Sequence, residues 1–258
     1  MFSFNVISSN IRFDNPADGA HSWKARREIL ASTLNNFLPD VVGTQEGWEP
    51  QLRDLESRLK GLAIIDENRE WIDDRMYPTL YFNPLKFQLI NSGDIWLSET
   101  PYIAATKSFG SAFPRLCTWA VLKENTGGRE FFFVNAHLDH LESSTRKEQI
   151  KVLINEVSKV RGNLPIVMTG DFNESPFESV RKEIEESDLN LVDPWITLAR
   201  EEVESHHSFK GQDKNGSRID WILISDDLNC SDIQLFQKSI DGIFPSDHFP
   251  VFATISAR

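Results

Sequence analysis

The sequence predicts an α/β protein in which short strands and amphipathic helices alternate along the chain. Apolar runs such as residues 164–168 are typical of buried strands, whereas residues 22–38 carry apolar side chains at helical spacing. Several predicted strands end on a polar or ionisable residue, and open α/β sheets place their chemistry at that end. The alternation by itself does not distinguish a doubly wound sheet from other α/β architectures.

The first third of the chain predicts strand, helix, strand and helix. Residues 2–11 alternate apolar and polar side chains as a strand does. The helix of residues 22–38 ends before Pro39, because proline cannot donate the next backbone hydrogen bond. Residues 41–46 form a short apolar strand with an acidic end, and a second helix follows with leucines on one face. Those leucines are Leu52, Leu55 and Leu59.

The middle of the chain is rich in predicted strands. They lie at residues 62–65, 79–82, 86–97, 116–123 and 129–138. Residues 98–114 carry turn-forming residues with little periodicity, which predicts a long loop. The segment 145–148, Thr-Arg-Lys-Glu, has the pattern of a capping box and predicts the start of a long helix.

The strand at residues 164–168 leads into a short polar segment. We expect the strand to break at Gly170. In an extended segment, Asp171 and Asn173 would then point to the same side. A turn is the alternative interpretation, because Gly-Asp-x-Asn also favours turns.

The last third predicts one more helix and three strands. Ser175 is the expected N-cap, with Pro176 in the first turn and Glu178 completing a capping box. The strands are predicted at residues 218–225, 232–237 and 250–256. The sequence shows no internal repeat, low-complexity tract or linker, so a single domain over residues 1–258 is expected.

The composition limits the classes of partner. The 258 residues include 27 basic and 39 acidic residues, for a net charge of −12, and no Lys/Arg cluster stands out. Duplex DNA is therefore not an expected partner, since proteins that grip it usually carry a basic surface. No apolar run approaches the roughly 18 residues of a membrane span, so a membrane partner is not expected. The composition does not indicate an oligomeric state.

The N-terminus and the two cysteines indicate a cytoplasmic protein. The N-terminus lacks the basic and then apolar pattern of a signal peptide. Cys117 and Cys230 lie far apart and outside any metal-type spacing. We expect both to be buried small hydrophobic residues rather than a disulfide or a nucleophile.

Polar residues that end apolar runs recur through the chain. They are Asn10, Glu46, His137, Asp171 with Asn173, Asp220, and Asp247 with His248. Because burying unpaired charge is costly, we expect these side chains to meet in one site. Such an oxygen-rich set suits Mg²⁺ or Mn²⁺. Zinc is disfavoured, because the histidines lack a zinc-type spacing and no cysteine is near.

The order of these motifs resembles that of the endonuclease/exonuclease/phosphatase superfamily, which has the pancreatic-deoxyribonuclease-like fold. The motifs are Asn10, Gln45-Glu46, His137-Leu138-Asp139, Gly170-Asp171-Phe172-Asn173, Arg218-Ile219-Asp220 and Ser246-Asp247-His248. The resemblance runs from residue 2 to about residue 256. Within the superfamily, the chain resembles the bacterial branch that is related to deadenylase-type and sugar-phosphatase members. It implies a four-layer α/β (α+β) sandwich, in which two mostly antiparallel sheets pack face to face with helices outside.

The resemblance also implies a role for each residue. Glu46 resembles the principal metal ligand, with Asn10 beside it and Asp247 as a further metal-side carboxylate. Asp171 matches the residue that positions or deprotonates the attacking water, and Asn173 matches the one that fixes the phosphate.

Two histidines complete the implied catalytic set. His248 resembles the imidazole that faces the scissile phosphate, oriented by Asp220 as a base is by its orienting group. His137 matches a second catalytic histidine of the nuclease-like branch.

Other candidates remain open at this stage. Arg115 could donate two hydrogen bonds to a phosphate, or it could pair with a carboxylate. Arg12 is a weaker candidate for binding phosphate. Because adjacent side chains of an extended segment point opposite ways, at most one of His206 and His207 faces the site. The residues expected to stack on substrate are Trp48 and Trp71, and those expected in surface loops are His21 and His140.

These expectations add up to a divalent-metal-dependent phosphoester hydrolase that uses an activated water. The acidic composition favours a small phosphorylated metabolite or nucleotide end as the substrate. A nuclease or deadenylase-like exonuclease is the first alternative, and a catalytically silent binding module on the same scaffold is the second. The presence of the complete polar set argues against the silent module.

Overall fold

Two β-sheets of six strands each form the centre of the protein. A computed structural model describes residues 2–211 and 216–258. The strands are β1 (Ser3–Asn10), β2 (Val41–Gly47), β3 (Ala63–Ile65), β4 (Tyr77–Phe82), β5 (Phe87–Trp96), β6 (Leu116–Glu124), β7 (Glu130–His137), β8 (Ile166–Asp171), β9 (Leu191–Val192), β10 (Asp220–Ser225), β11 (Leu228–Leu235) and β12 (Val251–Ala257). The helices are α1 (Trp23–Asn36), α2 (Glu49–Glu56), α3 (Ser143–Arg161), α4 (Ser179–Glu185) and α5 (Pro194–Thr197), and a 3₁₀ helix spans Pro16–His21.

Each sheet has one parallel pair near its centre and is otherwise antiparallel. The first sheet has the order β11-β12-β1-β2-β4-β3, and the second has the order β5-β6-β7-β8-β10-β9. The parallel pairs are β1 with β2 and β7 with β8. The mostly antiparallel four-layer arrangement that the family resemblance implied is therefore confirmed.

The apolar residues sort into layers according to strand alternation. Phe4 of β1 points between the sheets, where its ring centroid lies 5.2 Å from that of Phe131 in β7. Ile7 points to the opposite face and packs in the same cluster as Leu30 of α1. Leu153 of α3 covers the outer face of the second sheet. Burying each such side chain contributes about 1.5–3 kcal/mol, so this layered core fixes the two sheets face to face.

Near one end of the sandwich the two sheets are joined by polar contacts. Gln45 Nε2 donates a hydrogen bond to Asn135 Oδ1 at 2.7 Å. Gly170 N donates to Ser8 Oγ at 3.1 Å. These bonds tie the sheets together at the end where the parallel strands finish.

The predicted strands and the first three helices are observed with small shifts of their ends, but both predicted capping boxes are wrong. Helix α3 begins at Ser143, so Thr145 lies inside it and donates its hydroxyl to the carbonyl of Phe109 at 2.6 Å. Helix α4 begins at Ser179 rather than Ser175, and the buried Glu174 carboxylate accepts its Val180 N–H at 3.1 Å. In the first case the Thr145 hydroxyl bonds to another loop, and in the second the acceptor comes from Glu174 rather than from Ser175.

The expected break at Gly170 is also wrong, because β8 continues to Asp171. A Cβ atom on Gly170 would lie 2.6 Å from the carbonyl oxygen of Ala136 in β7. The glycine therefore serves the close approach of two paired strands, rather than a turn.

The remaining expectations concern the membrane and the cysteines. None of the helices in the described part of the chain is long and apolar enough to cross a membrane. Cys117 and Cys230 are both free thiols, the first buried as expected and the second half-buried.

Candidate active site

The polar ends of the central strands meet at one edge of the sandwich. Asn10, His137 and Asp171 are the last residues of β1, β7 and β8. Asp220 is the first residue of β10, which runs antiparallel and so begins at the same edge. His137 and Asp220 both pair with Asp171 in the sheet register. The sheets thus bring together side chains that are far apart in the sequence.

Glu46 is directed into this edge by an irregularity in β2. The register with β4 shifts between Thr44 and Gly47, and Glu46 itself has a φ of 69°, in the left-handed region. Such a backbone conformation costs about 1–3 kcal/mol in a non-glycine residue and is typical of functional positions. One carboxylate oxygen, Oε2, accepts the backbone N–H of Phe13 at 3.2 Å.

Asn10 joins two of the carboxylates. Its Nδ2 donates to Glu46 Oε1 at 3.1 Å and to Asp171 Oδ2 at 2.9 Å. Its Oδ1 accepts the backbone N–H of Arg12 at 2.9 Å. In this orientation Asn10 holds the two carboxylates in place, and it would ligate a cation only after its amide had turned over.

Asp171 and Asn173 are related by a turn rather than by an extended segment. Asn173 has a φ of 51°, and its backbone N–H donates to Asp171 Oδ1 at 2.9 Å. Its side-chain Nδ2 donates to the carbonyl of Leu138 at 3.0 Å, and Asn173 still lines the cavity described below. Burial and the nearby Asp220 carboxylate raise the pKa of Asp171 to about 7.

His248 and Asp220 form a hydrogen-bonded pair. His248 Nδ1 lies 2.8 Å from Asp220 Oδ2, and its Nε2 lies 3.9 Å from Asp171 Oδ2. Burial alone would lower the pKa of His248, but the Asp220 carboxylate raises it well above its ordinary value. His248 is therefore cationic at neutral pH.

Ser205 is a partner of this pair that the sequence analysis missed. Its hydroxyl oxygen accepts the backbone N–H groups of Ile219 and Asp220 at 2.9 and 3.2 Å. The hydroxyl donates to Asp220 Oδ2 at 2.7 Å. A buried serine outside every motif gave no sequence signal for this contact.

The ring of His137 is neutral, unlike that of His248. Arg115 Nη1 lies 2.9 Å from His137 Nδ1, and because arginine can only donate, Nδ1 must accept. The hydrogen of the neutral ring is therefore on Nε2, which lies 3.5 Å from Asp171 Oδ2. Burial and the Arg115 cation lower the pKa of His137 well below its ordinary value.

Arg115 is buried at the site without an acidic partner. Within residues 2–211 and 216–258, no carboxylate oxygen lies within the 4 Å of an ion pair with its guanidinium. Its Nε has no hydrogen-bond partner there. The sequence left open whether Arg115 binds a phosphate or pairs with a carboxylate, and the described residues contain no such pair.

Asp247 lies beside Arg12 and His206. Its Oδ2 is 3.8 Å from Arg12 Nε and 3.9 Å from His206 Nε2. Arg12 also makes two hydrogen bonds to Asp18, at 3.0 and 3.1 Å, so its guanidinium is already occupied. The neighbouring His207 faces away and stacks on Phe249 at a centroid distance of 3.9 Å, so only His206 of the two faces the site.

A cavity of about 410 Å³ opens over these residues. Trp48 lines it and stacks on Phe13, whereas Trp71 lies outside it, against Tyr77. The cavity is lined by Arg12, Phe13, Glu46, Trp48, Asp74, Arg75, Met76, Phe113, Arg115, His137, His140, Asp171, Asn173, His206, Ile219, Asp247 and His248. Asn10 and Asp220 support this lining from behind.

The lining residues that the sequence analysis missed are Phe13, residues 74–76, Phe113 and His140. His140 does lie in an exposed loop, as expected, but its ring also stacks on Phe113 at 5.8 Å. Its place in the wall depends on the folding of residues 98–114 across it, which no local pattern predicts.

The donor atoms fit a divalent cation. Ligand atoms of Glu46, His137 and Asp171 lie within 4.8 Å of one another, and so do those of His206, Asp247 and His248. Two carboxylates that share one amide donor at a buried edge repel each other, and a cation between them would relieve that repulsion. The chemistry of the first group, rich in carboxylate oxygen, suits Mg²⁺ or Mn²⁺.

Comparison with known proteins gives matches along the whole chain. The model of the Endonuclease/Exonuclease/phosphatase family matches residues 7–248. An endonuclease/exonuclease/phosphatase from Bacteroides vulgatus superposes with a TM-score of 0.93 at 25% identity, covering 100% of both chains. A mannosyl-6-phosphatase from Bacteroides thetaiotaomicron superposes with a TM-score of 0.87 at 28% identity, covering 98% of this chain and 99% of the other.

A curated relative matches over a shorter length. Nocturnin from Xenopus laevis is 28% identical over 202 residues, which cover 70% of this chain and 48% of the relative. The chain thus spans about half the length of that protein.

Proposed function

Because the chain belongs to the endonuclease/exonuclease/phosphatase family, we propose that it is a divalent-metal-dependent phosphoester hydrolase. We propose a small phosphorylated metabolite or a nucleotide end as its substrate. One observation carries the proposal: His248, hydrogen-bonded to Asp220, lies with its Nε2 3.9 Å from Asp171 Oδ2 at the cavity. A cationic imidazole opposite a carboxylate of raised pKa is the arrangement that acid–base chemistry needs.

The size and charge of the site support a small anionic substrate. A cavity of about 410 Å³ lies within the range of about 300–1,000 Å³ that is typical of small-molecule sites. The net charge of −12 disfavours duplex DNA. The mannosyl-6-phosphatase that is similar over 98% of this chain has, by its name, a sugar phosphate as substrate.

We assign phosphate binding to Arg115 and Asn173. The Arg115 guanidinium is buried beside the cavity without a carboxylate partner, so a phosphate dianion would supply the missing charge. Asn173 lines the same cavity and is held by the turn that includes Asp171.

We assign proton transfer to Asp171 and the two histidines. With a pKa of about 7, Asp171 can take a proton from the attacking water. His248 places positive charge next to the phosphoryl oxygens, and Asp220 keeps it oriented. Neutral His137 presents its Nε2 hydrogen on the Asp171 side of the cavity and can donate to the leaving oxygen.

We assign the cation to Glu46, whose carboxylate Asn10 holds and whose ligand atoms lie near those of Asp171. We keep Asp247 as a further metal-side carboxylate, although its ligand atoms lie in the neighbouring group with His206 and His248. When bound, Mg²⁺ or Mn²⁺ would offset the negative charge that builds on the phosphoester oxygens.

The test is a hydrolysis screen of the purified protein, with Mg²⁺ and with a chelator. The substrates are p-nitrophenyl phosphate, bis-p-nitrophenyl phosphate, mannose 6-phosphate, nucleoside monophosphates and short oligonucleotides. We expect Mg²⁺-dependent release of phosphate from the monoesters. Turnover that survives the chelator, or no turnover on any phosphoester, would refute the proposal. Turnover restricted to the diester and the oligonucleotides would favour the nuclease alternative.

A further inference from the structure

One wall of the cavity is built from two segments that meet at the long loop of residues 98–114. Phe113 and Arg115, at the end of this loop and just after it, line the cavity. His140 comes from the turn after β7, and its ring stacks on Phe113 with an interplanar angle of 22°. Arg115 Nη2 lies 3.5 Å from His140 Nδ1. The position of the Arg115 guanidinium thus depends on how the two segments are held together.

A single buried carboxylate holds them. Oδ2 of Asp139 accepts a hydrogen bond from Ala112 N at 2.8 Å and lies 3.1 Å from the Ser111 hydroxyl, which also lies 2.7 Å from the carbonyl of Phe113. All three of these partners are in the loop. Oδ1 accepts from Leu141 N at 2.9 Å and Glu142 N at 3.3 Å, both in the turn. Oδ2 therefore contacts the loop, and Oδ1 accepts from the turn.

Helix α3 holds the backbone of Asp139 and also contacts the loop. Gln149 Oε1 accepts the backbone N–H of Asp139 at 2.8 Å, while its Nε2 donates to Ser111 Oγ at 3.0 Å. Arg146 Nη1 donates to the carbonyl of Asp139 at 3.2 Å. Asp139 is 0% exposed and does not line the cavity. Its contacts are with the two segments and with α3.

We propose that Asp139 is a positioning residue for substrate binding, which holds Arg115 and the Phe113–His140 pair against the cavity. The inference rests on the proposed function, because it takes Arg115 to be the phosphate-binding group. Asp139 contacts neither the substrate nor the cation, and it acts only through the wall that it joins.

An asparagine at position 139 would have the same shape as the aspartate but could not accept hydrogen bonds on both sides. A carboxylate accepts hydrogen bonds at both oxygens, whereas a carboxamide accepts at one and donates at the other. In Asp139→Asn, the amide nitrogen would face N–H or O–H donors of one segment in either orientation. Either the loop or the turn would be released, and Arg115 would lose its fixed position.

The test compares Asp139→Asn with the wild-type protein and with a matched control. The control is Asp40→Asn, because Asp40 is a buried carboxylate that accepts from Asn5 N at 2.9 Å and Lys86 Nζ at 2.7 Å, outside the cavity. The measurements are KM and kcat for p-nitrophenyl phosphate, the Kd of inorganic phosphate by calorimetry, and the melting temperature.

We expect Asp139→Asn to raise both KM and the phosphate Kd about tenfold, while kcat falls less than about threefold. Asp40→Asn should lower the melting temperature and leave KM and Kd unchanged. If Asp139→Asn lowers the melting temperature but keeps both constants within about twofold of wild type, Asp139 is only structural and the inference is wrong.

A second variant covers the case in which Asp139→Asn does not fold. Ser111→Ala removes the hydroxyl that contacts both Asp139 and the Phe113 carbonyl, so it loosens the same wall. It should raise the phosphate Kd in the same direction, and an unchanged Kd would refute the inference. Wild-type protein without phosphoester turnover would instead refute the proposed function. Wild-type turnover with unaffected variants would refute only the role of Asp139.

Discussion

Two histidines in the same cavity differ in the direction of their pKa shift because their ring partners differ. A carboxylate of Asp220 faces Nδ1 of His248, and it raises the pKa of that ring despite burial. A guanidinium of Arg115 faces Nδ1 of His137, and together with burial it lowers the pKa of that ring. One residue type thus supplies a cation and a neutral donor on either side of Asp171.

Replacing His248 by asparagine should lower kcat by about 10²–10⁴, because the cationic ring and its proton are lost. The control is His21→Asn, since His21 stacks on Phe209 outside the cavity, and its kcat should match wild type. Steady-state hydrolysis of p-nitrophenyl phosphate measures both. A His248→Asn protein with wild-type kcat would show that the imidazole has no part in turnover.

The sequence predicted which side chains gather at the site but not how two of them are oriented. The gathering followed from polar residues at strand ends, where sheet geometry limits the possibilities. The spacing of Asp171 and Asn173 predicted an extended segment, whereas Asn173 has a left-handed φ of 51°. The direction of its side chain depends on that conformation. The amide direction of Asn10 depends on the Arg12 N–H, which belongs to the irregular segment after β1.

At the scale of elements, helix α4 begins later than its local capping pattern predicts. The local pattern at Ser175 predicted a capped helix, yet Glu174 provides the carboxylate at the start of α4. The same carboxylate accepts from Arg146 Nε of α3 at 2.8 Å, so it links the two helices while it caps one of them. A capping-box pattern compares residues three apart, so it identified neither the Glu174–Val180 bond, which spans six residues, nor the bond to Arg146, 28 residues away.

This link gives a pH dependence of stability. Burial would raise the pKa of Glu174, but hydrogen bonds from Arg146 and Ser179 lower it below its ordinary value. A carboxyl with a lowered pKa stabilises the fold above its unfolded pKa of about 4.3, and that contribution is lost as the pH falls through its folded pKa. Glu174→Gln should therefore lower the free energy of unfolding by about 1.5–3 kcal/mol at pH 7 and by progressively less below about pH 4.

Urea unfolding of wild type and variant from pH 7 to pH 3 measures this difference. The control is Glu183→Gln, because Glu183 is only half-buried and its contact with Lys147 at 3.2 Å lies at the surface. Its effect should stay below about 1 kcal/mol at every pH. A Glu174→Gln difference that does not change with pH would contradict the charged pairing.

At the scale of the whole molecule, the packing of two sheets was predicted by the family resemblance and not by periodicity. Strand alternation shows which face of β1 is buried, but it does not show which sheet covers that face. Strand β9 has two residues and helix α5 has four, which is too short to give a periodic signal. The motif order carried the long-range information, because it spans both sheets.

The charges that line the cavity are mixed. Arg12, Arg75 and Arg115 line it together with the carboxylates of Glu46, Asp74, Asp171 and Asp247, and the chain as a whole has a net charge of −12. The acidic total disfavours a long polyanion along the surface, whereas a small anion can reach the buried Arg115 guanidinium.

We propose that Glu46 and the Asp220–His248 pair belong to one cation-dependent phosphoester site, and anomalous diffraction tests this proposal most directly. Crystals grown with Mn²⁺ and inorganic phosphate should show an Mn²⁺ peak at the Glu46 carboxylate. A phosphate should lie in the same cavity, in contact with Arg115 and His248. An Mn²⁺ peak away from Glu46, together with a phosphate bound outside the cavity, would contradict a shared site.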